Sequence, residues 1–106
     1  MQIGLAIKAV RKRLNISQSE LAERIEISNT SLSQIENGMS NPSPKTIKKI
    51  CLVLEIPEPL LYILGIENAD VPENKKEIYK LLFPSVHKLA LDILSNESLD
   101  ANSVLS

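Results

Sequence analysis

Five residues in a short stretch carry small, uncharged hydrogen-bonding side chains: Asn29, Thr30, Ser31, Ser33 and Gln34. A carboxamide presents a donor and an acceptor side by side, and a hydroxyl can serve as either. Groups of this kind suit the major groove of DNA, where every base pair displays its own pattern of donors and acceptors. Asn and Gln can hold an adenine in a bidentate way, and Ser and Thr can bond most base edges. No Arg lies among them, so an Arg-driven reading of guanine is not expected from this stretch. A well-formed bidentate pair gives about 1–3 kcal/mol of discrimination between bases.

Other chemistry finds little support. The Ser residues are numerous, but no Ser, His and acid fall into a recognisable arrangement, and no Gly-rich phosphate loop is present. Cys51 is the single cysteine and lies on an apolar stripe, as a small buried hydrophobe would. His87 has no second His or Cys at ligand spacing. No enzymatic activity, cofactor or metal is therefore expected.

The polar residues must be positioned by helices. The segment SQSELAERIEISNTSLSQIENG, Ser17 to Gly38, reads as two short helices joined by a tight turn. Ser17 is placed to cap the first of them, with Glu20 three residues later completing a capping box. Leu21, Ala22 and Ile25 form its inner face. Ser28 caps the next helix, whose Leu32 and Ile35 lie three apart and point inward. Asn37-Gly38 closes that helix, with Gly38 supplying a left-handed residue.

An earlier helix shows Ile3, Leu5, Ala6, Val10 and Leu14 as its stripe. After the loop MSNPSP, Ser43 caps a fourth helix with Pro44 at its first position, and Ile47, Ile50, Cys51 and Leu54 repeat at core spacing. Pro57 and Pro59 open a short fifth helix through Leu60, Leu61 and Leu64, ended by Gly65.

Residues 66–74, IENADVPEN, read as a linker. A longer amphipathic segment follows from Lys75 to about Ser95. Ile78, Leu82, Val86, Leu89, Ile93 and Leu94 form its stripe, and Pro84 predicts a kink or two abutting helices. The polar tail from Asn96 is expected to fray.

Size and composition agree with this layout. At 106 residues the chain suits one domain with an appended element. It has no Trp and only three aromatics, Tyr62, Tyr79 and Phe83, so its core must be aliphatic. No run of β-branched residues alternates with polar ones, and no sheet is expected. The net charge of −1 conceals an asymmetry. Residues 1–50 hold eight Lys or Arg against four Glu, whereas residues 51–106 hold four Lys against nine acids. The basic half suits a polyanion, although so small an excess implies weak non-specific binding at cellular salt. Lys8, Arg11, Lys12 and Arg13 interrupt the early apolar residues, so no signal peptide is expected. No stretch approaches the roughly eighteen apolar residues of a membrane span. A cytoplasmic location and no membrane partner are expected.

Residues 3–65 resemble the phage-repressor-like helix-turn-helix domains of the xenobiotic-response-element (Cro/repressor) family of bacterial regulators. The matching pieces are the Arg of AVRKRLNISQSELA, the turn between two short helices, and IENG followed by NPSPKT. The resemblance implies an all-α fold: a five-helix repressor-like helix-turn-helix domain with a C-terminal amphipathic helical extension. It implies that the third helix enters the major groove, with Asn29, Thr30, Ser33 and Gln34 reading bases. It places Gln18, Ser28 and Asn37 where backbone phosphates are held. Lys45, near the start of the fourth helix, is the best further phosphate candidate. Lys12, Arg13, Lys48 and Lys49 suit a solvated surface.

The resemblance also implies a structural ion pair between Arg11 and Glu36, which would contribute little if exposed. One position departs from the family. The turn between the second and third helices usually carries Gly, and here it is Glu26, at a cost of about 1 kcal/mol for positive φ.

The expected organisation is a DNA-binding domain at 1–65, a linker at 66–74, and an extension at 75–106. The expected function is sequence-specific transcriptional regulation, as a repressor acting as a homodimer on an inverted repeat of double-stranded DNA. The dimer would form through Ile78, Leu82, Val86, Leu89 and Ile93. Two other readings of that stripe stand beside it. It can fold back on its own chain, or it can wrap a protein partner, as an antitoxin does.

Overall fold

A computed structural model describes residues 1–95, and the tail from Asn96, expected to fray, lies outside the described residues. The order of elements is α1 (Ile3–Arg13), α2 (Gln18–Arg24), α3 (Asn29–Glu36), α4 (Pro44–Leu54), α5 (Glu58–Leu64), two single 3-10 turns (Asn68–Asp70 and Glu73–Lys75), and α6 (Lys76–Ser95). The described residues contain no strand. The fold is all-helical, with a C-terminal helix added to the helix-turn-helix unit.

Local signals set the helix boundaries. Three helices begin under a serine hydroxyl that accepts a backbone N–H three residues on: Ser17 from Glu20, Ser28 from Ser31, and Ser43 from Thr46. Pro44 occupies the first turn of α4, where its missing N–H leaves no bond unmade. Gly38, at φ +83°, supplies the left-handed residue after α3. Three non-glycine residues also take left-handed backbone: Asn15, Glu26 and Glu55, at φ 58°, 62° and 56°.

The core is aliphatic, as the composition requires. Ile7, Val10, Leu21, Ile25, Leu32, Ile50 and Leu61 are fully buried, and Ala22, Ile35, Ile47, Cys51, Leu54 and Leu64 join them. Burial raises the Cys51 thiol above its ordinary pKa, which keeps it neutral. One expected core position is corrected. Leu5 is 53% exposed, and Ile7 is the fully buried residue of that turn. Ala6, Ile7 and Val10 are the buried residues of the inward stripe, and Ile3 and Leu14 at its two ends pack against them.

Helix α6 packs on its own domain along one face. Ala90 is buried, and Leu91 and Leu94 pack against the core. Tyr79 donates its hydroxyl to the Ile66 carbonyl at 3.1 Å and stacks on Phe83, with ring centroids 4.6 Å apart. Arg13 of α1 pairs with Asp92 of α6, which also accepts from Lys88. Those donors, Lys88 first, hold the Asp92 carboxyl below its usual pKa. A single helix runs through Pro84 rather than two abutting ones. Pro84 and Lys80 both lie exposed, so water can satisfy the carbonyl that Pro84 leaves without its helical donor.

The other apolar face of α6 is open. Ile78, Leu82, Val86, Leu89 and Ile93 are all exposed, and Leu81 beside them is too. Leu94, read with that stripe in the sequence, instead turns toward the domain. Among the described residues, no helix is long and apolar enough to cross a membrane.

Candidate nucleic-acid interface

Helices α2 and α3 are held across each other by a small apolar seam. Leu21, Ala22 and Ile25 meet Leu32 and Ile35, all of them buried. The turn between them is closed by a bond from the Ile27 N–H to the Ala22 carbonyl at 3.0 Å. Glu26 takes the left-handed backbone that this turn demands. Burying the seam turns the other side of α3 outward. Asn29, Thr30 and Gln34 are exposed there and Ser33 is half-buried, so the four base-reading candidates share one surface.

Position along α3 is fixed by a buried charge pair. Arg11 Nε donates to Glu36 Oε2 at 2.8 Å, and an Nη2 N–H donates to Oε1 at 2.9 Å. The remaining Nη1 donates to the Ile16 carbonyl at 2.9 Å. Arg11 is 7% exposed and Glu36 2%. This is a bidentate, desolvated pair, unlike the weak exposed pair considered from the sequence. It ties α1 to the last residue of α3.

Glu36 also orders Gln18. The Gln18 Nε2 donates to Glu36 Oε1 at 3.1 Å. A carboxamide nitrogen has two N–H groups, so one remains to donate to an external acceptor such as a phosphate oxygen. Arg11 neutralises the carboxylate that would otherwise repel such an anion.

The other phosphate candidates are placed differently. Ser28 accepts the Ser31 N–H at 3.0 Å and bonds the Ser31 hydroxyl at 2.9 Å, so its oxygen is engaged as the cap of α3. Asn37 ends α3, and its Oδ1 accepts the Met39 N–H at 3.0 Å, which leaves the amide nitrogen as its donor. Lys45 is exposed in the first turn of α4.

Two residues that shape this surface escape a reading by residue type. Ser19, the second residue of α2, accepts the Asn29 Nδ2 N–H at 2.9 Å. Gly4, on α1, lies against the end of α3. A Cβ built there would sit 1.9 Å from the Ile35 carbonyl oxygen. Only a glycine lets α1 approach the end of α3 so closely. Gly4 is the second residue of α1, in a first turn that tolerates glycine, so the sequence carries no signal of this contact.

Comparison with known proteins identifies the family. The model of a helix-turn-helix family matches residues 7–61. The chain belongs to this family, a class of DNA-binding transcriptional regulators rather than of enzymes.

Among similar proteins are two of Bacillus phage phi105. One is the ImmF control region 10 kDa protein, 38% identical over 55 residues, which are 52% of this chain and 61% of that protein. The other is the immunity repressor protein, 38% identical over 56 residues, 53% of this chain and 39% of that one. An uncharacterized helix-turn-helix-type transcriptional regulator of Mycobacterium tuberculosis is 36% identical over 60 residues, 57% of this chain and 43% of that regulator. The chain thus spans about two fifths to three fifths of the length of these relatives. No solved structure gives a significant match.

Proposed function

We propose that this regulator is a repressor that binds an inverted repeat of double-stranded DNA as a homodimer and blocks access of polymerase. Residues 1–65 form the DNA-binding unit, 66–74 a linker, and 75–106 the dimerising extension. The observation that carries the reading is the outward side of α3, where Asn29, Thr30, Ser33 and Gln34 stand on a helix whose other side is fully packed. Gln18, Ser28, Asn37 and Lys45 flank it and hold the phosphate backbone, Ser28 by turning its hydroxyl proton from Ser31 to a phosphate oxygen; they fix register, while the α3 side chains specify sequence. The name of the phage immunity repressor supports repression as the outcome.

The exposed stripe Ile78, Leu82, Val86, Leu89 and Ile93 supports the dimer. Self-pairing would hide an apolar face that a monomer leaves in water. Two-fold symmetry then sets two copies of α3 about one turn of DNA apart, roughly 34 Å. The working compartment is the cytoplasm.

Selection of bound fragments from a random duplex library by the full-length chain, at two salt concentrations, tests the proposal. An enriched inverted repeat is the expected result. Enrichment of single half-sites would remove the dimer. Weak, salt-sensitive binding without enrichment would remove sequence reading and favour a chain whose exposed stripe serves a protein partner.

A further inference from the structure

The proposed reading assigns base recognition to residues on α3 and leaves open what orients them. Among the described residues, the side chains of Thr30 and Gln34 hold no hydrogen bond within the protein, whereas Asn29 is tethered. Its Nδ2 donates to Ser19 Oγ at 2.9 Å, across the turn between α2 and α3. Both residues are exposed, so this bond is not a by-product of core packing.

From this geometry we infer that Ser19 is a specificity-determining positioning residue, which fixes the amide of Asn29 so that it reads adenine. An Asn side chain has two N–H donors and one carbonyl acceptor. Bidentate pairing with adenine uses one N–H, to N7, and the carbonyl, from N6–H. The bond to Ser19 consumes the other N–H. It leaves the donor–acceptor pair that adenine matches, and it decides which way the amide faces. Without the tether the amide can turn over. It would then present its oxygen where its nitrogen had been, and its preference among bases would blur. The hydroxyl of Ser19 accepts in this bond and keeps its own proton, which solvent can accept. The inference rests on the proposed role of Asn29, and the test separates the two.

The duplex recovered by the wild-type chain from a random library is compared with versions carrying single base-pair changes. Binding is measured for the wild type, Asn29→Ala, Ser19→Ala and Ser19→Thr. Asn29→Ala is expected to lower discrimination at one base pair per half-site by roughly 5- to 100-fold. Ser19→Ala is expected to lower it at that same base pair by about 3- to 10-fold, the worth of one hydrogen bond. It leaves preferences elsewhere, and binding to a duplex of unrelated sequence, unchanged. Ser19→Thr, which keeps the hydroxyl, restores discrimination.

Ser17, not Ser19, caps α2, so the alanine variant retains the cap, and melting curves verify its fold. Undiminished discrimination in Ser19→Ala, alongside a loss in Asn29→Ala, overturns the positioning role alone. An equal loss on every duplex makes Ser19 a phosphate contact and likewise overturns it. No effect of Asn29→Ala overturns the base-reading assignment, and the inference about Ser19 with it.

Discussion

Arg11 and Glu36, separated by 25 positions in the chain, meet through two parallel N–H···O bonds of 2.8 and 2.9 Å in a site almost closed to water. Their partnership joins α1 to the end of α3, and Gln18 hangs from the same carboxylate. Desolvation makes the pair costly to break, because removing one member leaves the other charged and unpaired. Glu36→Ala and Arg11→Ala are each expected to lower unfolding stability by about 3–5 kcal/mol. Urea denaturation measures this. A loss below 1 kcal/mol for both would mean that the pair behaves as an exposed one.

Gly4 makes a steric demand on the same joint. A methyl at this position would overlap the Ile35 carbonyl oxygen at 1.9 Å, and the atom it meets belongs to backbone that cannot swing aside. Gly4→Ala must therefore push α1 away from α3 or shift the end of α3. The expected destabilisation is about 1–3 kcal/mol, as for other overpacked sites. Specific DNA binding should fall further than non-specific binding, because the reading surface moves while the charges remain. Melting temperature and competition binding are the two readouts.

Glu26 holds left-handed backbone at φ 62° in the turn between α2 and α3. A side chain with a Cβ is strained there by about 1–2 kcal/mol, while glycine adds less than that in unfolded-state entropy. Glu26→Gly is expected to raise stability by about 0.5–1 kcal/mol, read as an upward shift of the urea midpoint at constant slope. A downward shift would mean that Glu26 makes a compensating interaction.

Much of this molecule is legible in its residues. Serine caps, the Asn37-Gly38 stop and apolar spacing mark α2, α3 and α4 because each signal acts within one helical turn. The turn chemistry at Glu26 is legible for the same reason. Long-range features are not. Ser19 and Asn29 are ten positions apart, and nothing in their types predicts the hydrogen bond between them. The close approach of Gly4 to Ile35 depends on how two helices cross. In α1, Leu5 and Ile7 are both large and aliphatic, and only the packed neighbours decide which of them is buried. Helix α6 carries apolar residues on two faces, so periodicity alone could not assign Leu94 to one of them.

Sequence reading and general affinity should separate on two glutamines. Gln34 is exposed on α3, whereas Gln18 is half-buried with one N–H committed to Glu36. Gln34→Ala should flatten preference among duplexes while leaving binding to unrelated DNA nearly unchanged. Gln18→Ala should weaken all duplexes about equally and slightly reduce stability, since Glu36 loses one donor. Binding measured across a panel of single-base variants tells these outcomes apart. If Gln34→Ala preserved the preference profile, the reading surface would have to be sought elsewhere on α3.

The open face of α6 provides the test of assembly. Leu82 and Leu89 lie seven residues apart on it, more than half exposed, while Tyr79, Phe83, Ala90 and Leu94 occupy the side turned to the domain. A charge placed at Leu82 or Leu89 therefore leaves the docked face intact. If the stripe pairs with a second copy, Leu82→Lys with Leu89→Lys buries like charges at the interface and should yield monomers. Sedimentation equilibrium would show this directly, with an unchanged helical circular dichroism spectrum. Binding to one half-site should then persist, while affinity for the full inverted repeat falls toward the half-site value because the second contact is no longer tethered. A wild-type chain that sediments as a monomer, with the variant indistinguishable from it on the full repeat, would remove the dimer and leave the stripe to a different protein.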